Sequence, residues 1–249
     1  MKNEMILWFC CIVLVFILGY IKNITDTDYP ITGTFGIEGR KVSYKLDKVS
    51  HDKSVYKNII ISDTNEIEGK LIWNYNGKQK ETLYKKVERG LECDIPRLNP
   101  GQMISYKVIL IHKDNIFEIP KDGFTTLTFW GHIPSGVNAL NFFFLYGGLL
   151  MSLRSTFELF NKNRNLKKYS VIVCVLLLTL VTIIFPLYNT YKLGAINSYI
   201  PSLTELIEPE LLVLLLLWIA GTILIFNKKY IRTTAISISA VTVLLFFIL

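Results

Sequence analysis

The chain is poor in the residues from which most catalytic and metal sites are built. It has three histidines, His51, His112 and His132, and four cysteines, Cys10, Cys11, Cys93 and Cys174. No two histidines stand at metal-ligand spacing and none is near a cysteine, so a structural zinc site has no recognisable ligand set to draw on. Gly-x-Ser-x-Gly elbows and Gly-x-x-x-x-Gly-Lys phosphate loops are both absent, and no Ser or Cys has a local pattern naming a base partner. We therefore assign no catalytic residue, no cofactor and no metal from the sequence. Charge is scarce as well. Charged residues make up 19% against 51% hydrophobic, with a mean hydropathy of +0.38, a balance foreign to an ordinary soluble globule.

What the chain has instead is long apolar runs. Met5 to Ile21 is the first, and four more lie at about 137–153, 170–187, 210–226 and 233–249. Each is near the length that crosses a hydrocarbon core of about 30 Å. The run from Val137 to Leu153 is the least clean, holding Asn138, Asn141 and the pair Gly147 and Gly148, but no charge interrupts it before Arg154. Small and amide residues suit a helix face packed on other helices. Once their ends are trimmed the predicted spans contain no ionisable residue, which argues against a proton relay or an ion path through them. Thr179, Thr182, Thr222, Ser237, Ser239 and Thr242 are expected to hydrogen-bond within or between helices.

The net charge of +7 does not mark a nucleic-acid partner, because it is unevenly placed. Residues 23–133 carry 16 Lys and Arg against 15 Asp and Glu. The excess lies in two short loops. Arg154, Lys162, Arg164, Lys167 and Lys168 face only Glu158, and Lys228, Lys229 and Arg232 stand unopposed. The connection from Tyr188 to Glu210 is acidic, with Glu205, Glu208 and Glu210 against Lys192. Basic loops stay in the cytoplasm, so the expected topology has the N-terminus inside, residues 23–134 outside and the C-terminus outside. Lys2 before an apolar core begins like a signal peptide, yet Leu18-Gly19-Tyr20-Ile21-Lys22 lacks a small-x-small cleavage site, so residues 1–22 read as a retained signal anchor. Asn23-Ile24-Thr25 matches a glycosylation acceptor but sits at the membrane edge.

Between Pro30 and Ile133 the pattern changes to alternation, the period of strands with one buried face. Strands are expected over 42–49, 56–62, 70–75, 78–87, 91–95, 103–111, 116–119 and 125–130. Asn76-Gly77 joins two of them as a hairpin turn, since both residues tolerate positive φ. This inventory is that of a β-sandwich. With Cys93 its only cysteine, the domain has no internal disulfide and folds on its core alone. The expected fold is thus a five-helix transmembrane bundle, residues 1–22 and 135–249, plus an all-β sandwich of residues 23–134 outside the membrane.

Leu98-Asn99-Pro100-Gly101 followed by Met103-Ile104-Ser105-Tyr106-Lys107-Val108 resembles the fibronectin type III and immunoglobulin-like pattern, in which such a turn precedes a strand opened by a corner tyrosine. Two extra residues separate Gly101 from Tyr106, and Trp73 would be the core tryptophan of such a sandwich. A longer resemblance rests on the strand Thr126 to Pro134, Thr-Leu-Thr-Phe-Trp-Gly-His-Ile-Pro, and the helix ending Leu149-Leu150-Met151-Ser152-Leu153-Arg154. These are similar to a family of uncharacterised bacterial multi-pass membrane proteins, which implies a bacterial cytoplasmic membrane and brings no activity with it. Where fuller members of that family carry histidine in the second helix and a Gly- and Asp-rich stretch before the fourth, this chain has Asn138, Asn141 and Gly194 to Pro201.

Two short segments remain. Ser202-Leu203-Thr204-Glu205 fits a capping box and predicts a short helix before Pro209, its glutamates read as solvated helix-end charge rather than a cation site. Residues 157–169 are expected as an amphipathic inner helix or as plain topology-setting charge. The functional expectation is a noncatalytic interaction or assembly protein, its partners the lipid bilayer and a protein met through the external domain, with no nucleic acid. The alternative is an enzyme or small-molecule handler with polar groups converging near His132, Asn138 and Asn141; Glu205 and Glu208 complete the candidate residues.

Overall fold

The computed structural model describes residues 2–248 apart from 52–53, 63–65, 114, 162–164, 197 and 229, with the side chains of residues 2 and 3 left aside. Lys162, Arg164 and Lys229 of the basic loops therefore lie outside the described residues. The chain divides into two units: residues 26–132 with Lys192–Gly194, and the remainder.

The first unit is β-rich. Its strands are β1 (Ile31–Ile37), β2 (Arg40–Leu46), β3 (Val49–Ser50), β4 (Tyr56–Ser62), β5 (Glu68–Tyr75), β6 (Lys78–Leu83), β7 (Lys85–Val87), β8 (Gly90–Ile95), β9 (Met103–His112), β10 (Asn115–Ile119) and β11 (Thr125–Phe129). They form two sheets, β1-β2-β4-β8-β7 and β3-β11-β9-β5-β6, with β10 on the second half of β9. The long strand β9 pairs β5 along one side, while β11 and β10 share the other.

Alternation does what was expected of it. In β4, Tyr56, Asn58, Ile60 and Ser62 point inward and the intervening residues are exposed. Both sheets feed one core in which Leu46, Ile60, Leu91 and Ile95 meet Leu71, Trp73, Val108 and Leu127. Trp73 is buried and its indole N–H donates to Thr82 Oγ1 at 3.1 Å. Asn76 and Gly77 have φ of 50° and 73°, the left-handed pair of a two-residue hairpin, and β5 and β6 pair across them from Tyr75 and Lys78.

Three expectations need correction. Residues 42–49 are two strands in different sheets, because the chain crosses between sheets after Leu46. Residues 78–87 likewise split at Tyr84, β6 pairing β5 and β7 pairing β8. Tyr84 buries its ring at this crossing, and its N–H bonds Gly69 O in continuation of the β5–β6 register before the chain passes to the other sheet. Tyr106 is fully buried, but its hydroxyl donates to Asp47 O, 2.7 Å away and 59 residues upstream. A corner tyrosine bonds backbone a few residues upstream, so Tyr106 pins the β2–β3 link instead. Strand β1 was not expected at all: Thr and Gly at alternate positions hide its period.

The second unit is helical: α1 (Lys2–Thr25), α2 (Ser135–Phe157), α3 (Leu166–Thr179), a π-helical turn over Leu180–Ile184, α4 (Phe185–Lys192), α5 (Leu203–Leu206), α6 (Pro209–Phe226) and α7 (Ile231–Ile248). Five segments are long and apolar enough to cross a membrane: Glu4–Thr25, Ser135–Phe160, Leu166–Lys192, Pro209–Phe226 and Ile231–Ile248. The wide turn precedes Pro186, which has no N–H to give and whose ring crowds the carbonyl one turn back. Tertiary hydrogen bonds use the small polar residues. Ser239 bonds Ser152 and Thr156 between α7 and α2, Trp218 Nε1 donates to Thr242 Oγ1 at 2.9 Å, and Cys174 meets Thr222 at 3.2 Å. Thr179 and Thr182 bond carbonyls of their own helix, and Ser237 is exposed. Among the described residues of 157–169 there is no separate amphipathic helix. Glu158–Phe160 is a single 3-10 turn and Leu166 already belongs to α3.

Candidate functional site

Four of the five candidate residues turn out to be exposed or committed to local structure. His132 and Asn138 are exposed, the Asn138 N–H donating to Pro134 O at the start of α2. Glu205 completes the capping box: its carboxylate accepts the Ser202 N–H at 2.8 Å and the Ser202 hydroxyl at 3.0 Å. Glu208 is the residue before Pro209 at the N-terminus of α6 and is partly buried. Asn141 differs, because its Oδ1 is buried without a hydrogen bond among the described residues.

A group that sequence spacing could not reveal is Glu38, Glu66 and His112, whose ligand atoms lie within 4.8 Å of one another. His112 is buried, with Nε2 3.6 Å from Glu66. Lys113 Nζ sits 2.6 Å from Glu38, and this bond holds the Glu38 carboxyl below its ordinary range. The lysine already supplies the cation that the cluster needs.

The helical unit holds a second surprise. Arg154 and Glu158 are both fully buried and form an i,i+4 ion pair inside the segment Ser135–Phe160. The pair lies towards the end of that segment, just beyond the span of about 137–153 expected from the sequence. The guanidinium lies 4.7 Å from the Tyr169 ring centroid and 5.4 Å from that of Trp8, and the two rings meet edge to face at 6.1 Å. Glu158 also accepts Asn161 Nδ2 at 3.0 Å and the Asn165 N–H at 2.8 Å. Arg154 Nε and Nη2 and Ser155 Oγ have no protein partner among the described residues. Arg154 looks in the sequence like one more topology-setting charge; only its neighbours, from α1 and α3, make it a structural hub. A groove of about 680 Å³ between α1 and α2 is lined by Phe16, Tyr20, Phe142, Phe143 and other apolar residues, with Asn23 as its one amide.

On the β-rich unit the observation of most consequence is an open sheet edge. Unpaired N–H and C=O groups along an edge strand invite another strand, and proteins blunt such edges with charge or brevity. Strand β6 carries Lys78, Lys80 and Glu81, β7 carries Lys85 and Lys86, and β3 has two residues. Strand β1, Ile-Thr-Gly-Thr-Phe-Gly-Ile, has seven residues and no charge, and only β2 pairs with it among the described residues. Beside it runs a groove of about 680 Å³ whose walls include Phe35, Tyr44, Ile116 and Phe117. Phe35 and Phe117 stack at 5.2 Å, while Ile116 is 66% exposed. Ile59 and Ile61 add further apolar surface on the outer face of β4.

No family model, curated protein or solved structure matches the chain.

Proposed function

We propose that the protein is a noncatalytic interaction or assembly protein of a bacterial cytoplasmic membrane, presenting its β-rich unit outside and holding it by a retained first helix. The observation that carries the reading is the uncharged, unpaired β1 edge with its aromatic groove. The charge asymmetry of the loops supports the orientation. The sheet order supports an immunoglobulin-like kinship: β2, β4, β8 and β7 stand where strands A, B, E and D stand in that fold, and β5, β9 and the β10–β11 pair where C, F and G stand. Strand β1 is then an addition outside that framework, hairpinned onto strand A.

The test is affinity purification of the full chain in gentle detergent, with copurifying proteins and small molecules identified by mass spectrometry. A stoichiometric protein partner, or a defined assembly of the chain with itself, is expected. A monomer that comes out alone, or with a bound small molecule, overturns the proposal in favour of a small-molecule site. Orientation has its own check. Gln79→Cys, on an exposed position of β6, is expected to react with a membrane-impermeant maleimide in intact cells, and Lys168→Cys only after lysis. The native Cys93 is too buried to serve.

A further inference from the structure

We propose that Glu38, Glu66 and His112 bind one divalent transition-metal ion, of the class to which zinc belongs. The site goes beyond the interaction reading and stands whether or not the β1 edge finds a partner. Its ligands come from three connections that the fold gathers. Glu38 follows β1 in the turn to β2, Glu66 lies in the connection that enters β5, and His112 is the last residue of β9, which pairs with β5. The turn between two strands of one sheet thus supplies a carboxylate that meets an imidazole from the other sheet.

The imidazole is what makes this more than an acidic cluster. His112 is 2% exposed, yet neither ring nitrogen has a hydrogen bond among the described residues. Nδ1 is buried without a partner, and Nε2 faces the Glu66 carboxylate at 3.6 Å, beyond hydrogen-bond reach. A buried polar group left unbonded is costly, and a metal ion on Nε2 supplies the missing bond. The 3.6 Å spacing is close to the separation of about 3.4 Å between two ligands of a tetrahedral ion bonded at about 2.0–2.1 Å. All three ligand atoms lie within 4.8 Å of one another, and both carboxylates belong to exposed side chains that close the remaining distance by rotation. Two carboxylates and one imidazole are ligands that zinc accepts, with water in the fourth position.

Lys113 is the cation of this group when no metal is bound. Its Nζ bonds Glu38 at 2.6 Å and, with Arg40 adding to the effect, holds that carboxyl in its ionised, ligating form. Neither side chain gives the imidazole a bond. The Lys113–Glu38 pair is exposed on both sides, and such pairs are worth little, so a divalent ion displaces the ammonium at small cost.

The experiment uses the full chain in detergent, treated with a chelator and free of any histidine tag, and titrates it with zinc by isothermal calorimetry while a parallel series follows the melting temperature. One ion per chain and a raised melting temperature are expected. Glu38→Gln and Glu66→Gln, both at exposed positions, are each expected to weaken zinc binding about tenfold or more and to remove the rise, with the circular dichroism spectrum unchanged. Lys113→Met, which removes the competing cation, is expected to tighten binding severalfold. Calcium is expected to bind at least tenfold more weakly than zinc, because imidazole suits zinc and oxygen ligands alone suit calcium. Zinc that binds Glu38→Gln as tightly as the unsubstituted chain, or binds neither, overturns the proposal. So does calcium that matches zinc, or a Lys113→Met chain that binds zinc more weakly.

Discussion

The two units bury polar groups by opposite means. In the β-rich unit one linked set of buried phenols and an amide is neutral and partnered, while Asn74 Oδ1, Asp94 Oδ1 and His112 Nδ1 are buried without a hydrogen bond among the described residues. Tyr84 Oη donates to Asn58 Oδ1 at 2.5 Å, Asn58 Nδ2 reaches Lys45 O at 3.3 Å and Tyr56 Oη at 3.4 Å, Tyr56 Oη meets Asp47 Oδ2 at 3.2 Å, and Tyr106 bonds Asp47 O. In the helical unit the buried groups are a guanidinium and a carboxylate, and the guanidinium keeps two nitrogens without a protein partner among the described residues. A neutral network costs little to desolvate once every bond is made, whereas two ions must regain several kcal/mol each from their mutual attraction and further bonds. The helices therefore depend on a pair that is far more damaging to break in half than to remove whole.

The sharpest way to test that contrast is to halve the pair. Glu158→Leu, which strands the Arg154 charge, is expected to destabilise the helical unit by about 3–5 kcal/mol, and Arg154→Met with Glu158→Leu together by much less. Denaturation of the detergent-solubilised protein measures both, and equal losses for single and double variants would refute the pairing. Tyr84→Phe takes the donor from a buried Asn58 oxygen and is expected to cost about 1–3 kcal/mol. A loss as large as that of Glu158→Leu would erase the comparison.

The neutral network also has an alkaline limit. Burial pushes the Tyr56 phenol from 10.0 up to about 12, the Asn58 and backbone bonds only partly opposing it, and burial likewise raises Tyr84, Tyr106 and Cys93, the last to about 11. Above about pH 10 the unfolded chain releases the Tyr56 proton while the folded chain keeps it. Stability is thus full below that pH and falls through the window to about 12, by at most about 1.4 kcal/mol per pH unit for this one group. Near-ultraviolet circular dichroism follows the loss, and Tyr56→Phe should flatten the decline. The smallest effect concerns the cage around the cation. Trp8→Leu keeps an apolar side chain on α1 but removes its ring from Arg154, and is expected to cost about 0.5–2 kcal/mol. No change at all would mean that Tyr169 alone carries the contact.

Much of the architecture was legible because it depends on local pattern. The two-period alternation placed Tyr56–Ser62 to the residue, Asn76-Gly77 placed a hairpin, and Ser202 with Glu205 placed a four-residue helix. The sheet crossings after Leu46 and at Tyr84 were not legible, since each leaves the alternation intact while changing the partner strand. Of the candidate site, Glu205 was readable as a cap. The interest of Arg154 and of Glu38, Glu66 and His112 was not, because their neighbours come from distant parts of the chain.

The sequence by itself determined that five segments are apolar enough for a membrane, that the region between the first two is built of strands, and that charge gathers in two loops. These follow from composition and period, which act over a few residues. Only the tertiary structure decided which sheet edge stays open, which tyrosine bonds which backbone, and that Arg154 is a buried cation between Trp8 and Tyr169 rather than a solvated one. Burial and pairing depend on what the rest of the chain brings to a residue, and no local pattern records that.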